Sequence, residues 1–357
     1  MYPTTASSFA WLPIPAADAG LAPDLGDRID AAHRNGELAG LHGLVIARRG
    51  RLALERYYPG VDETWGRPLG TVAFGPDTLH DLRSVTKSLV GLLYGTALAD
   101  GKVPPPDAVL VDQFPEYPDL AADPPRRRLT VAHVLSMTLG LEWNEDLPYT
   151  SAANSEIAME LAPDRYRFVL ERPIAGAPGL RWGYNGGATA LLGRLIALGV
   201  ATPLPDYARA ALFAPLGITA FDWIKGQDGT PSAASGLRLA PRDLARVGQL
   251  IVQRGRWDGR PVVPLSWIEA SFRPVVTIDE PVRYGLHWYL GELPVRAGSG
   301  SRREPWVGAF GNGGQRLYVV PGLELVVAIT AGNYNQRDQR QMPLKLWRDL
   351  VMPSLSV

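Results

Sequence analysis

The stretch 85–98 constrains the fold of this chain more than any other. It carries Leu89, Val90, Leu92, Leu93, Ala97 and Leu98, yet has a lysine, Lys87, at its head. A helix this apolar belongs in the core of a domain, with other elements packed around it. Burying an ammonium there is costly, so Lys87 needs a partner or a chemical task. Ser84 stands three residues earlier, and residues at that spacing share a helical face, which sets the amine beside the serine oxygen. A serine hydroxyl is a weak nucleophile and needs a base within hydrogen-bond reach. A neutral lysine is such a base, and burial, a neighbouring cation or a helix N-terminus favours the neutral form. With Ser84 opening the helix, the helix dipole also favours a developing alkoxide. Read alone, a helix N-cap is the plainer reading of Ser84.

Composition removes several alternatives. The 357 residues hold 36 basic and 36 acidic side chains and no cysteine. The balanced charge argues against nucleic acid as a partner, and the absence of cysteine excludes thiol catalysis, thiolate zinc sites and disulfide scaffolds. The length suits one large domain or two interleaved ones with a full core. Residues 1–13 show neither a basic n-region nor a continuous apolar segment, so no secretory signal is visible. No apolar run reaches the roughly 18 to 20 residues that span a bilayer. A cytoplasmic protein with no membrane partner is expected. His33, His42, His80, His133 and His287 show no local ligand spacing, so neither a metal nor another cofactor is expected.

Residues 42–58 read as two strands around a Gly-containing turn, and 315–320 with 323–329 as a second hairpin around Pro321-Gly322. The segment 342–352 reads as a helix. Between them, 131–137, 155–161, 188–198 and 206–212 carry helical patterns broken by Pro and Gly. The polar stretches 65–77, 119–126 and 227–234 read as loops. The expected architecture is α+β: an antiparallel sheet flanked by helices and built from both chain ends (1–100 and 232–357), with a mostly helical domain (101–231) inserted.

Two further segments supply pieces of an acyl-transfer site. In Pro178-Gly179-Leu180-Arg181-Trp182-Gly183-Tyr184-Asn185-Gly186-Gly187, a turn delivers Tyr184 just before a helix. A tyrosine near a lysine can act as base toward the serine, or as acid toward the leaving group once its pKa is lowered. A packed tyrosine bonded to a carbonyl is the plainer reading. In Gly308-Ala309-Phe310-Gly311-Asn312-Gly313-Gly314-Gln315, glycines at a strand edge let a substrate approach the backbone, where N–H groups can face an oxyanion. A simple turn is again the plainer reading. Trp143, Trp182, Trp288 and Trp306 offer flat apolar walls, although each taken singly fits a core position. Asn144, Glu145 and Asp146 follow Trp143 and read on their own as a solvated acidic loop. No Gly-x-Ser-x-Gly elbow is present, which argues against an α/β-hydrolase.

The order Ser-x-x-Lys, then Tyr-Asn about a hundred residues later, then a Gly-Gly strand near the C-terminus resembles the serine β-lactamase-like superfamily. The stretches 131–143 and 234–245 add to the likeness, which runs from about residue 40 to the C-terminus. Class C β-lactamase-like serine hydrolases are especially similar, including family VIII esterases and 6-aminohexanoate-oligomer hydrolases. The resemblance implies a site in the cleft between the sheet domain and the helical one, with Ser84 as nucleophile, Lys87 and Tyr184 as the proton-handling pair, and the backbone N–H groups of Ser84 and Gln315 as oxyanion hole. The sequence departs from the pattern twice. The second motif is Tyr184-Asn185-Gly186 rather than Tyr-x-Asn, and the third is Asn312-Gly313-Gly314 rather than a triplet beginning with Lys or His. Losing that charge-assisted contact costs about 1.5 to 3 kcal/mol with a carboxylate-bearing β-lactam.

The expected protein is a serine hydrolase acting through an acyl-enzyme on carboxylic esters or linear amides, with Trp143, Asn144, Trp182, Asn185, Asn312, Gly313 and Gly314 contacting substrate. A β-lactamase or D-amino-acid peptidase is the first alternative, and a catalytically silent binding protein the second. The oligomeric state stays open, a homodimer included.

Overall fold

The computed structural model describes residues 11–297 and 300–356; most of the N-terminal stretch read above lies outside them. Helix α1 (Leu25–Arg34) leads into β1 (Leu41–Arg48) and β2 (Arg51–Tyr57), the expected first hairpin. Every residue of β1 is buried, as its nearly continuous apolar sequence requires of a strand covered on both faces. One antiparallel sheet runs Val276–Asp279, Val282–Tyr284, Tyr289–Ala297, Gly300–Gly311, Gln315–Val320, Leu325–Ala331, β1, β2. Both chain ends thus contribute to it, and β1 docks on Leu325–Ala331 through pairs such as Val45↔Ala328.

Two cores follow from the two faces. On one, Val45, Ala47, Leu317, Val319 and Ala328 meet α2 (Val85–Ala99) and the helix Pro241–Val252. On the other, Leu44, Ile46, Val327 and Ile329 meet α1 and the C-terminal helix that starts at Gln341. Helix α2 is buried along 12 of its 15 residues, Lys87 among them, so it is the central core helix its sequence demands. From Val111 to Phe213 the regular elements are all helical. They include Ser155–Leu161 and Gly186–Val200, close to the expected spans. Among the described residues no single helix is long and apolar enough to cross a membrane.

Two loop expectations fail. Within 65–77, Arg67–Val72 is strand β4, paired with β3 (Gly60–Thr64) in a separate hairpin. It is exposed over almost its whole length, so it carries no buried face to impose the alternation by which strands are read. The 119–126 stretch overlaps a one-turn helix, Pro118–Ala121, that starts on a proline at its first position. The 227–234 loop is as expected.

Candidate active site

Strand β5 (His80–Asp81) runs into the turn that presents Ser84. Arg83 sits in this turn with φ of 49°, a left-handed conformation rare for an arginine. Its side chain is anchored by Glu63 at 2.6 Å and Asp81 at 3.4 Å, with the guanidinium 4.8 Å from the Tyr334 ring centroid. The surrounding contacts thus hold a strained residue next to Ser84, the pattern expected where geometry serves chemistry. Ser84 is the N-cap of α2 but makes no side-chain capping bond, which leaves its hydroxyl for other partners. Its backbone N–H donates to no described group, whereas those of Val85, Thr86 and Lys87 are spent in the first turn.

Lys87 Nζ lies 3.1 Å from Ser84 Oγ, 3.0 Å from the Ala234 carbonyl and 3.3 Å from Glu156 Oε2. Three acceptors match the three donors of an ammonium. The neighbour is therefore a carboxylate, not the cation that would favour a neutral lysine, and the pair is buried (2% and 1% exposed side chains). Glu156 enters through the first turn of Ser155–Leu161, whose N-cap Asn154 accepts from the Glu156 and Ile157 N–H groups. Burial pushes Glu156 up, but Lys87 and the hydrogen bonds from Ser235, Glu145 and Lys87 outweigh it and hold the carboxyl below its usual range. The network continues outward from Ser235 through Ser232 and Glu160 to Arg165 and Asp228.

A second carboxyl, Glu145, faces Glu156. It accepts from Gly186 N–H and Trp143 Nε1 at 2.5 Å each and from Tyr149 OH at 2.8 Å. Burial first, then the Glu156 charge, push Glu145 up to about 7 against the pull of Lys87. Because the folded state takes up a proton that the unfolded chain releases near 4.5, this stabilisation is complete below about pH 4.5 and lost as pH rises through 7. Thermal melts from pH 5 to 8 should therefore show the stability of wild type falling relative to Glu145→Gln. Parallel curves would place Glu145 outside this ionisation.

Tyr184 completes the group. Its hydroxyl is close enough to Ser84 for the serine to draw its pKa down, and Lys87 Nζ is 5.0 Å from its ring centroid. Its pKa is raised well above the ordinary value, by burial first and then by Tyr289 and Glu145, the opposite of the lowering expected from sequence. Trp182, Tyr184, Tyr284 and Tyr289 form a connected aromatic patch, with Trp182–Tyr184 centroids 5.9 Å apart, and Phe310 stacks on Tyr289 at 4.5 Å.

The remaining candidates are placed less directly. Trp143 is half-buried against Phe168 and bonds Glu145, while Trp288 is fully buried and Trp306 packs on the other face of the sheet. Asn144 is exposed, its Oδ1 accepting from Asp146 N–H. Asn185, expected on the substrate, is 3% exposed and its Oδ1 accepts from Ala188 N–H at 3.0 Å. Its carbonyl oxygen is spent on capping the helix. Asn312, Gly313 and Gly314 form the turn between two strands. Asn312 is tied through both side-chain ends to Asn335, and Gly313 N–H donates to Gln339 Oε1. The Gln315 side chain is spent on Ala331 N–H and C=O, and its backbone pairs with Gly311. Gly311 is the residue packed on the Ser84 turn: a Cβ there would overlap the Leu82 carbonyl.

Glu156 and Ser235 were not singled out from sequence. The available signal was the pair Glu156 and Glu160, one turn apart in a short helix where Met159 is also buried. Two acids on a core-facing side announce partners.

The sheet, with helices on both faces and a buried Ser-x-x-Lys helix at its centre, defines a β-lactamase/transpeptidase-type fold. The Beta-lactamase family model matches residues 28–347, and the chain belongs to that family. Among proteins of known activity it is similar to a 6-aminohexanoate-dimer hydrolase of Paenarthrobacter ureafaciens, 29% identical over 210 residues that cover 55% of this chain and 51% of the relative. The match thus spans about half of that protein. Solved structures with the same fold include EstCE1, a hydrolase with promiscuous acyltransferase activity (TM-score 0.70, 16% identity, 90% of this chain and 97% of that one). A β-lactamase/D-alanine carboxypeptidase from Pseudomonas syringae is similar too (TM-score 0.66, 17% identity, 94% and 99%).

Proposed function

We propose that this chain is a serine hydrolase that cleaves carboxylic esters or linear amides through an acyl-enzyme on Ser84. The observation that carries the reading is the 3.1 Å approach of Lys87 Nζ to Ser84 Oγ, with the Tyr184 ring beside them, its centroid 5.0 Å from Nζ. The reaction takes place between the α/β unit (1–100 and 232–357) and the helical unit (101–231), which supply Ser84 and Lys87, and Tyr184, respectively.

Lys87 becomes the base by giving up a proton that Glu145, the carboxyl of the pair raised to about 7, takes through Glu156, 3.3 Å from Lys87. Ser84 Oγ then bonds to the substrate carbonyl carbon as its proton moves to Lys87. The N–H groups of Ser84 and Gln315 face the oxyanion, and the unused Ser84 N–H supports the first of these roles. Tyr184, kept protonated by burial, donates to the leaving alkoxide or amine and is reprotonated from Lys87. Water repeats the sequence on the acyl-enzyme, releasing the acid and restoring Ser84.

The role of Tyr184 gives a test with a direction. Tyr184→Phe should lose about 10²- to 10⁴-fold in kcat on an amide, whose leaving group needs a proton. It should lose much less on a p-nitrophenyl ester, whose leaving group departs as an anion. Equal losses on both would assign Tyr184 to the base side instead.

The aromatic patch beside Lys87 supports a substrate with methylene or other apolar segments, and the matched 6-aminohexanoate-dimer hydrolase supports linear amides as one class. Assays with short-chain esters, a linear aminohexanoate dimer and a chromogenic cephalosporin separate the readings. Turnover of the first two and not the third is expected. Efficient cephalosporin hydrolysis would favour the β-lactamase or D-amino-acid peptidase alternative, and silence on all three a binding protein.

A further inference from the structure

Topology brings together a cluster that no local spacing in the sequence reveals. His42 of β1, Asp62 of β3 and His80 of β5 are all buried, with ligand-capable atoms converging within 4.8 Å of one another. His42 Nδ1 is 3.0 Å from His80 Nε2, and His80 Nε2 is 3.7 Å from Asp62 Oδ1. Ligand atoms held by bonds of 2.0 to 2.2 Å around a tetrahedral zinc lie about 3.3 Å apart, so the two separations bracket what a shared ion needs.

The backbone around the cluster departs from regular pairing at two of its three members. The β1 register breaks between Leu41 and Gly43, at His42, and the β3–β4 register breaks between Asp62 and Glu63. Such bulges re-aim side chains. His42 is seated between Gly60 and Gly332, where a Cβ at either position would overlap its imidazole. Phe74 stacks on His42 at 4.2 Å and leans on His80, closing the cluster. His80 Nδ1 lies 3.0 Å from the Asp81 carbonyl. A donor on that nitrogen leaves the Nε2 lone pair directed at the cluster, the arrangement that orients imidazole ligands.

Charge completes the argument. Asp81, next in sequence, is neutralised by Arg238 at 2.8 Å and Arg83 at 3.4 Å, but Asp62 has no lysine or arginine partner in the described residues. It accepts one hydrogen bond, from Tyr334 OH at 3.0 Å, and its buried Oδ2 has no hydrogen-bond partner. A buried carboxylate so poorly matched is costly. A divalent cation held by two imidazoles and this carboxylate removes the mismatch, and that ligand set suits zinc-class ions rather than calcium or magnesium.

We propose that His42, Asp62 and His80 bind one zinc-class divalent cation, fastening β1, the β3–β4 hairpin and, through the Tyr334 hydroxyl on Asp62, the segment around Tyr334 to the strand that leads into Ser84. The expectation of no metal rested on local spacing, which cannot register ligands 20 and 18 residues apart.

The test uses untagged full-length protein equilibrated with equimolar Zn²⁺, desalted and measured by elemental mass spectrometry, with Co²⁺ substitution in parallel. Wild type should retain about one equivalent and show the intense visible bands of tetrahedral Co²⁺. Asp62→Asn, which keeps the shape and can still accept from Tyr334, should retain less than about a tenth. Wild type that retains no zinc and gives only the pale spectrum of hydrated Co²⁺ overturns the proposal, as does a folded Asp62→Asn that keeps the full equivalent. Should Asp62→Asn fail to fold, the wild-type cobalt spectrum decides alone.

Discussion

Ser84→Ala is expected to fold as wild type does and to hydrolyse an ester about 10⁴-fold or more slowly. The size follows from the role: without the Oγ there is no acyl-enzyme, and only binding and oxyanion contacts remain to assist water. Retention of the fold follows from the structure. Ser84 makes no capping bond, so α2 does not depend on its hydroxyl. The loss removes one atom from a position 8% exposed. Matching circular dichroism and melting curves with turnover gone is the expected outcome. Turnover within tenfold of wild type would remove Ser84 from the mechanism.

Lys87→Ala should be hardly less severe for catalysis and more severe for stability. Losing the general base costs about 10²- to 10⁴-fold. Losing the cation also strands Glu156, whose side chain is 1% exposed; an uncompensated buried carboxylate costs about 3 to 5 kcal/mol. The two effects separate in the double variant Lys87→Ala with Glu156→Gln. Removing the stranded charge should restore much of the melting temperature while activity stays lost. If Glu156→Gln restored activity as well, Lys87 would serve only to neutralise Glu156.

These expectations rest on features of unequal legibility. Helix α2 and the hairpin of β1 and β2 were readable because their signals are local: an apolar run behind a serine, and two strands about Gly50. Ser84 and Lys87 are three residues apart on one helix, so helical geometry alone predicts their contact. Tyr184 was reachable through its turn and the family's order of motifs, but its direction of pKa shift was not. That direction depends on burial and on Tyr289, more than a hundred residues later in the chain. Glu156 and Ser235 were missed for the same reason. Glu156 meets Lys87, and Ser235 meets Glu156, only when Ser155–Leu161 and the 234–236 segment fold against α2. Asn185 shows the converse error, a motif position whose local role as a helix cap takes its side chain. The exposed strand β4 was misread because nothing in Arg67–Val72 distinguishes an edge strand from a polar loop.

The most direct test of the acyl-enzyme account is intact-protein mass spectrometry after brief exposure to a short-chain p-nitrophenyl ester, with wild type and Ser84→Ala side by side. The account predicts an increase of one acyl group in wild type, located by peptide mapping to Ser84 and absent from the variant. An adduct of equal yield in both proteins, or one mapped to another residue while ester turnover proceeds, would contradict it.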